Sequence, residues 1–432
     1  MMPDKKKFLF VSVEASINDV AWHVQQEGHE VKYFIEEAAQ KEVADGFVPK
    51  TDDWAKEVAW ADVVVFDDTR GMGAKAKKLR QEGKPVVGGT PYTDKLEDDR
   101  AFGQEELKNA GVQTIPHWDF SSFDDAIAFV KEHPEKYVLK PSGEAQKIKH
   151  LLFVGEEDDG NDMGRVLEEY KKTWSKKIKS FQLQRRASGV EVAVGAFFNG
   201  KEFICPINVN FEHKKLFPGD IGPSTGEMGT SMFWSMPNKM FNLTLKKMEP
   251  KLKEEGYVGY VDINCIANSN GVYPLEFTPR FGYPTISIQQ EGMLTPIGDF
   301  LFDLAKGNTP KLRTRSGFQV GVMIVVPPFP FKDKDTFEVY SKDAVITFKK
   351  PNRDGVHIED VKLVEGEWMV TGNAGGALIV TGTGTTMRQA KNQAYSRINN
   401  IIIPNMYYRT DISDRWEEDS DRLHSWGYLS EA

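Results

Sequence analysis

The chain has 432 residues, which at roughly 150 residues per domain predicts about three domains and ample material for several cores. Its 64 acidic and 55 basic residues give a net charge of −9, which excludes a general binder of phosphate backbones and leaves room only for a local basic pocket. The two cysteines, Cys205 and Cys265, stand alone, which excludes a thiolate zinc cluster and points to a reducing cytoplasm. No apolar run approaches the roughly 18 residues of a membrane span. The run Phe8–Val13 behind Lys5-Lys6-Lys7 is broken by Ser12 and meets Glu14, so it reads as a strand and not a secretion signal.

The first 90 residues alternate strands and helices. Strands are expected at Phe8–Val13, Glu30–Ile35, Asp62–Phe66 and Pro85–Val87, with helical spacing at Ile17–Gln26, Trp54–Ala61 and Ala74–Glu82. That pattern predicts a parallel sheet covered on both faces. Its ligands would sit at the strand C-termini, near Val13–Ser16, Asp67–Arg70 and Gly88–Thr90.

A second region opens near Asp94. A helix is expected over Leu96–Ala110, then a strand Tyr137–Lys140 running into the basic, turn-rich Lys140-Pro-Ser-Gly-Glu-Ala-Gln-Lys147. Helix Met163–Trp174 and strand Ser180–Gln184 follow, and strands Glu191–Phe198 and Phe203–Val209 are joined by the hairpin signal Asn199-Gly200. A helix over Leu243–Glu255 leads to strands Gly259–Ile266 and Val272–Phe277. From about Lys311 short strands dominate, closed by helix Met387–Ile398 and an acidic tail.

Chemistry concentrates in four places. Asp262 and Glu276 lie on neighbouring strands that a short hairpin could bring together, a hard-oxygen pair suited to Mg²⁺ and nucleotide phosphates. Alone, the pair reads better as solvated strand-end acids, but Glu276 lies inside an apolar run where an unpaired carboxylate would be costly to bury. Lys140 ends a strand above a glycine turn, where it could meet phosphate oxygens or simply be a solvated edge lysine. Glu191, after Gly189, could accept ribose hydroxyls, a weak signal by itself. The stretch Glu212–Gly229 is too irregular for a core element and too rich in functional groups for a spacer, so a functional loop is expected. Gly222-Pro-Ser-Thr-Gly226 matches a hydrolase elbow by letter but lacks its strand and helix, and Gly382-Thr-Gly-Thr-Thr-Met387 lacks the last glycine of a dinucleotide fingerprint.

Taken in order, these segments resemble the ATP-grasp ligases, and within them the glycinamide ribonucleotide synthetases. The markers are Glu212-His-Lys214 with Gly219-Asp-Ile-Gly-Pro-Ser-Thr-Gly-Glu-Met-Gly229, then Leu275-Glu-Phe-Thr-Pro-Arg-Phe-Gly-Tyr-Pro284, then Asn373-Ala-Gly-Gly-Ala377 with Tyr408-Arg-Thr-Asp-Ile412. The resemblance implies an α/β and α+β chain of three parts. These are a Rossmann-like parallel-sheet domain (1–93), an ATP-grasp domain of two α+β subdomains (94–310, with a mobile lid at about 115–185) and a small strand-rich domain (311–432).

It also implies roles. Arg100, Lys140 and Lys147 would hold ATP phosphates, Gln184, Arg185 and Ala187 would form the adenine hinge, and Glu191 would bind ribose. Glu276, Asp262 and Thr278 would lie at a Mg²⁺ or Mn²⁺ site, with Arg280 and Lys214 catalytic and Asp220, Ser224, Thr225, Gly226 and Glu227 facing substrate. The implied reaction phosphorylates a carboxylate with ATP and joins it to an amine, in a cytoplasmic monomer or small homo-oligomer that acts on small amino-acid and amine substrates.

The departures fall mostly on the acceptor side. Val13-Glu-Ala-Ser-Ile17 stands where the family has its phosphate-binding Gly-Gly-Arg-Glu-His turn, Phe66-Asp-Asp-Thr-Arg70 replaces a Gly-Pro-Glu segment, and Gly375-Gly-Ala377 has lost an arginine. Glu227 stands in place of a glycine, Thr278 in place of a metal-binding asparagine, and Gln184 in place of a hinge glutamate. An altered acceptor, or a catalytically weak nucleotide-binding protein, is therefore the alternative expectation.

Overall fold

The computed structural model describes residues 5–143, 145, 148 and 151–429. Lys147, expected at the ATP phosphates, lies outside the described residues.

Four parallel strands, β1 (Lys7–Ser12), β2 (Glu30–Ile35), β3 (Val63–Phe66) and β4 (Val86–Val87), form the N-terminal sheet in the order β2-β1-β3-β4. Helix α1 (Asn18–Gln26) packs Val20, Ala21 and Val24 against it, as its apolar spacing requires. The single helix expected over Leu96–Ala110 is two, α2 (Pro91–Asp98) and α3 (Arg100–Asn109), because Asp99 turns extended and caps the second through the Phe102 amide.

Strands β5 (His117–Phe120), β6 (Tyr137–Pro141), β7 (Phe153–Val154) and β8 (Phe181–Arg185) make a separate antiparallel sheet in the order β5-β8-β6-β7. It packs on helices α4 (Phe123–Glu132) and α5 (Asn161–Thr173) around its own small core of Leu139, Met163, Leu167 and Leu183.

The central sheet has eight strands. It takes β9 (Val190–Asn199), β10 (Phe203–Glu212), β13 (Gly229–Ser235), β14 (Val258–Asn268) and β15 (Gly271–Thr278) and runs on into β16 (Phe318–Val325), β18 (Val356–Ile358) and β21 (Gly376–Gly384). Between β10 and β13 the chain makes a two-stranded hairpin, β11 (Lys215–Phe217) and β12 (Ile221–Ser224), so the expected loop 212–229 is an ordered flap. The helix expected over Leu243–Glu255 is broken at Thr244, whose backbone (φ −123°, ψ −94°) is not helical. Helix α6 (Thr285–Gly292) follows β15. Strands β17 (Val345–Phe348), β19 (Val361–Val364), β20 (Glu367–Val370) and β22 (Ile401–Ile402) form a small further sheet, and helix α7 (Met387–Ile398) packs on β21.

The period of two along the central strands decides where the chemistry goes. Val190, Val192, Val194, Val209, Phe211, Val261, Ile263 and Phe277 face one way into a buried core. The alternate positions Glu191, Glu212, Asp262, Asn264 and Glu276 share the opposite face. Among the described residues no helix is long and apolar enough to cross a membrane.

Candidate active site

The polar face of the central sheet converges on one ammonium. Lys214, just past β10, places Nζ 3.1 Å from Glu191 Oε1, 3.3 Å from Glu212 Oε2 and 3.1 Å from Glu276 Oε1. Against burial, Glu276, Glu212 and Glu191 hold the Lys214 pKa well above its ordinary value. Glu276 in turn is brought down to about 2, chiefly by Lys214, and is ionised at any working pH.

Register explains this grouping. The β14–β15 ladder sets Asn264 opposite Glu276 and Asp262 opposite Thr278, so the two acids are offset by two residues and are not cross-strand partners. Asn264 donates to Glu212 Oε2 at 2.8 Å. Asp262 lies deeper, with Oδ2 accepting from Asn210 Nδ2 at 2.9 Å and from the Tyr260 hydroxyl at 3.1 Å. Gly195 makes room for that contact: a Cβ there would fall 2.0 Å from the Tyr260 hydroxyl oxygen and 2.9 Å from Asp262 Oδ2. Burial, then Glu212, raises Asp262 to about 7. Glu212 heads the expected functional loop and the Glu212-His-Lys214 marker with no role of its own assigned there, and Asn264 is not singled out in the sequence. Their signal was the same alternation that carries Glu191 and Asp262.

Above this face stand Lys140 and Arg100. Lys140, at the end of β6, is 7% exposed, and burial followed by the neighbouring Arg100 lowers it to about 7. Arg100, opening α3, donates to the Pro141 carbonyl at 3.3 Å and has its own pKa lowered by burial. Farther along the separate sheet, Gln184 is buried with its Nε2 unpartnered, an amide left over for a ligand. Arg185 instead points to Glu135, with bonds of 2.5 and 2.9 Å, and Ala187 is half-buried beyond it.

The flap is pinned from the far end of the chain. Arg409, 1% exposed, donates to Asp411 at 2.8 and 2.7 Å, to Asp220 at 2.7 Å and to the Lys215 carbonyl at 3.0 Å. Asp220 is thus engaged by Arg409, while Ser224 and Gly226 are exposed. Thr225 bonds the Lys214 carbonyl through its amide (2.8 Å) and hydroxyl (2.9 Å), fixing the backbone that presents the ammonium. Glu227 is buried, its Oε1 unpartnered and its pKa pushed well up by burial and by Glu212.

Arg280 faces the N-terminal sheet. It pairs with Glu97 of α2 at 2.8 Å and, against burial, Glu97 and Asp68 raise its pKa. At the strand ends Glu14 pairs with Arg70 at 2.8 Å and Lys332 at 3.1 Å, and Arg70 also reaches Asp68 at 3.3 Å. Glu14 and Asp68 thus match both cations at this turn before any ligand arrives, while burial lifts Asp67 to about 7 and Asp360 to about 8.

The donor set fits a divalent cation. Half-exposed Glu276 beside Glu212 supplies ionised oxygens, and an ammonium already sits among the acids.

Residues 98–286 match the family model of the phosphoribosylglycinamide synthetase ATP-grasp (A) domain. The chain is 24% identical over 389 residues to the phosphoribosylamine–glycine ligase of Streptococcus pneumoniae (strain ATCC BAA-255 / R6), covering 84% of this chain and 86% of that one. It is 26% identical over 411 residues to the enzyme of the same name from Corynebacterium ammoniagenes, covering 88% of each. In structure it is similar to phosphoribosylamine–glycine ligase from Thermotoga maritima (TM-score 0.72, 20% identity, 94% of this chain and 100% of that one). It is also similar to biotin carboxylase from Campylobacter jejuni (TM-score 0.61, 13% identity, 98% and 97%). The fold is that of the ATP-grasp proteins.

Proposed function

We propose, from a chain whose central segment is an ATP-grasp domain of the phosphoribosylglycinamide synthetase kind, that this protein is an ATP-dependent carboxylate–amine ligase. The observation that carries the reading is Lys214 held among Glu191, Glu212 and Glu276, electrostatically coupled to Lys140 and Arg100. Phosphoryl transfer needs positioning and cations facing the phosphoryl oxygens more than covalent help from the protein.

In this reading Lys140 and Arg100 grip the ATP phosphates, Gln184 meets adenine through its unpartnered amide, and Glu191 takes a ribose hydroxyl. Glu276 and Glu212 would hold Mg²⁺ or Mn²⁺, with Thr278 and Asp262 behind them; the ion would neutralise phosphate charge. Lys214, displaced from the acids, faces the transferring group, and Arg280 stabilises it from the N-terminal side. The γ-phosphoryl group moves to a carboxylate oxygen, giving ADP and an acyl phosphate. The amine nitrogen then attacks the acyl carbon, phosphate leaves with that oxygen, and the nitrogen loses a proton.

Glycine and phosphoribosylamine are the pair named by the relatives, and a phosphoribosylamine–glycine ligase of purine biosynthesis is the leading assignment. One observation favours a different amine: at the N-terminal strand ends Arg70 and Lys332 are already neutralised by Glu14 and Asp68, a poor cradle for a phosphate. ADP release with glycine and freshly generated phosphoribosylamine tests the assignment. Release only with other amines keeps the ligase and replaces the acceptor, and no release with any acid–amine pair refutes the ligase.

A further inference from the structure

A second cavity, of about 500 Å³, lies at the junction of α1, the C-terminal end of α6 and the C-terminal strands, with Trp22, His23, Arg315, Arg353, His357 and Trp368 in its wall. Its volume is in the range of small-molecule sites. None of these six residues belongs to the carboxylate–lysine cluster or the flap.

The floor is satisfied from within. Asp19 Oδ2 accepts from His357 Nδ1 at 2.8 Å, Ser287 Oγ at 2.9 Å and Gln290 Nε2 at 2.9 Å, and Oδ1 accepts from the Ile358 amide at 3.2 Å. Glu291, also in the wall, pairs with Arg397 at 3.2 Å and accepts from Thr381 at 2.8 Å. The rim differs. Among the described residues neither Arg315 nor Arg353 is ion-paired, and the Arg353 guanidinium lies 4.9 Å over the Trp368 ring and 4.8 Å over Phe348. Asp354, next to Arg353 in the chain, is an exposed acid of the same rim, and one carboxylate against two guanidiniums leaves an excess of positive charge.

The walls are flat. His23 stacks on His357 with centroids 5.3 Å apart at 24°, and Trp22 meets Trp368 edge-on at 5.6 Å. Two unpaired guanidiniums suit a phosphate, which arginine grips in bidentate fashion, and aromatic walls suit a planar ring.

We propose that this cavity is a second binding site, for a phosphate-bearing small molecule of mononucleotide size. It is separate from the ATP cleft, yet α6 connects the two. The helix begins directly after Arg280–Pro284 and places Glu291, in its last turn, in the cavity wall, while its Ser287 and Gln290 fasten α1 through Asp19. An occupant would therefore bear on the helix that follows the Arg280 segment, whatever reaction that arginine serves.

The test is calorimetric titration of the full chain, first saturated with a non-hydrolysable ATP analogue and Mg²⁺, with AMP, GMP and ribose 5-phosphate. One equivalent of at least one nucleotide should bind, and the Arg315→Gln/Arg353→Gln double variant should bind it at least tenfold more weakly while keeping its melting temperature and basal turnover. The matching nucleoside, lacking the phosphate, should also bind at least tenfold more weakly. Ribose 5-phosphate binding as tightly as the nucleotides would remove the planar ring from the proposal. No binding of any of the three up to about 1 mM, or affinity indifferent to the arginines or to the phosphate, overturns it.

Discussion

Lys214 and Glu276 form a 3.1 Å ion pair at the point where the polar face of the central sheet meets the flap. The lysine comes from the turn after β10 and the acid from β15, and Glu191 and Glu212 complete the group from two further strands. A cation among carboxylates is therefore built into the resting site, and it marks where charge on a nucleotide would be managed.

Replacing Glu276 by Gln should lower ATP turnover by about 100-fold or more, the usual scale for removing one group that stabilises developing charge. Steady-state ADP release at saturating Mg²⁺ measures it. Lys214→Met should separately raise the Glu276 pKa, because the ammonium is the largest cause of its low value. The paired carboxylate is stabilising above its ordinary pKa of 4.5 and loses that contribution as pH falls toward about 2.

Lys140 titrates near 7 in the unliganded protein because burial and Arg100 disfavour its charge. Phosphate oxygens would restore that charge, so ATP should bind with uptake of a proton at pH 8 and more weakly as pH rises above about 7. Calorimetry in buffers of different ionisation enthalpy reads the uptake. Lys140→Met should abolish it, and wild-type binding with no proton linkage would contradict the placement of Lys140 at the phosphates.

Asp19 and His357 are a buried pair 2.8 Å apart that ties α1 to the C-terminal strands. Against burial, His357 and His23 lower Asp19 to about 2, and Asp19 raises His357. The raised histidine contributes stability that is full below its unfolded pKa near 6.5 and is lost as pH climbs through the folded value. The lowered aspartate contributes above 3.8 and loses it as pH falls through about 2. His357→Ala should cost about 3–5 kcal/mol by leaving a buried carboxylate short of its cation. Urea unfolding at pH 5.5 and 8.5 should show the larger loss at the lower pH.

Arg409 should matter to the flap rather than to the chemistry. Arg409→Met removes its bonds to Asp220, Asp411 and the Lys215 carbonyl. Limited proteolysis should then cut within residues 215–224 at least tenfold faster, with KM rising more than kcat falls. An unchanged cleavage rate would show that the hairpin holds itself.

The parallel N-terminal sheet was legible in the sequence because short β-rich runs alternate there with helical spacing. Asp262 and Glu276 could be placed on neighbouring strands because the short turn Asn268-Ser-Asn-Gly271 joins those strands, but register was not readable, and the ladder offsets the two acids by two residues. Glu212 reaches Lys214 and Asn264 only through the pairing of distant strands, which no local pattern encodes. The helix start at Asp99-Arg-Ala-Phe carries an N-cap signal that the family resemblance also picks out, while the continuous apolar spacing alone reads as one helix over Leu96–Ala110. The second cavity draws on segments near residues 22, 290, 315, 353 and 368, and only the folded chain brings them together.

The most direct measurement of the ligase reading is isotopic. With glycine labelled by ¹⁸O in its carboxylate, ATP, Mg²⁺ and the amine that supports turnover, the inorganic phosphate formed is analysed by mass spectrometry. An acyl-phosphate route predicts one ¹⁸O in each phosphate, carried over when the amine displaces it. ATP consumption that yields unlabelled phosphate would contradict activation of the carboxylate and, with it, the account of the Lys214–Glu276 site.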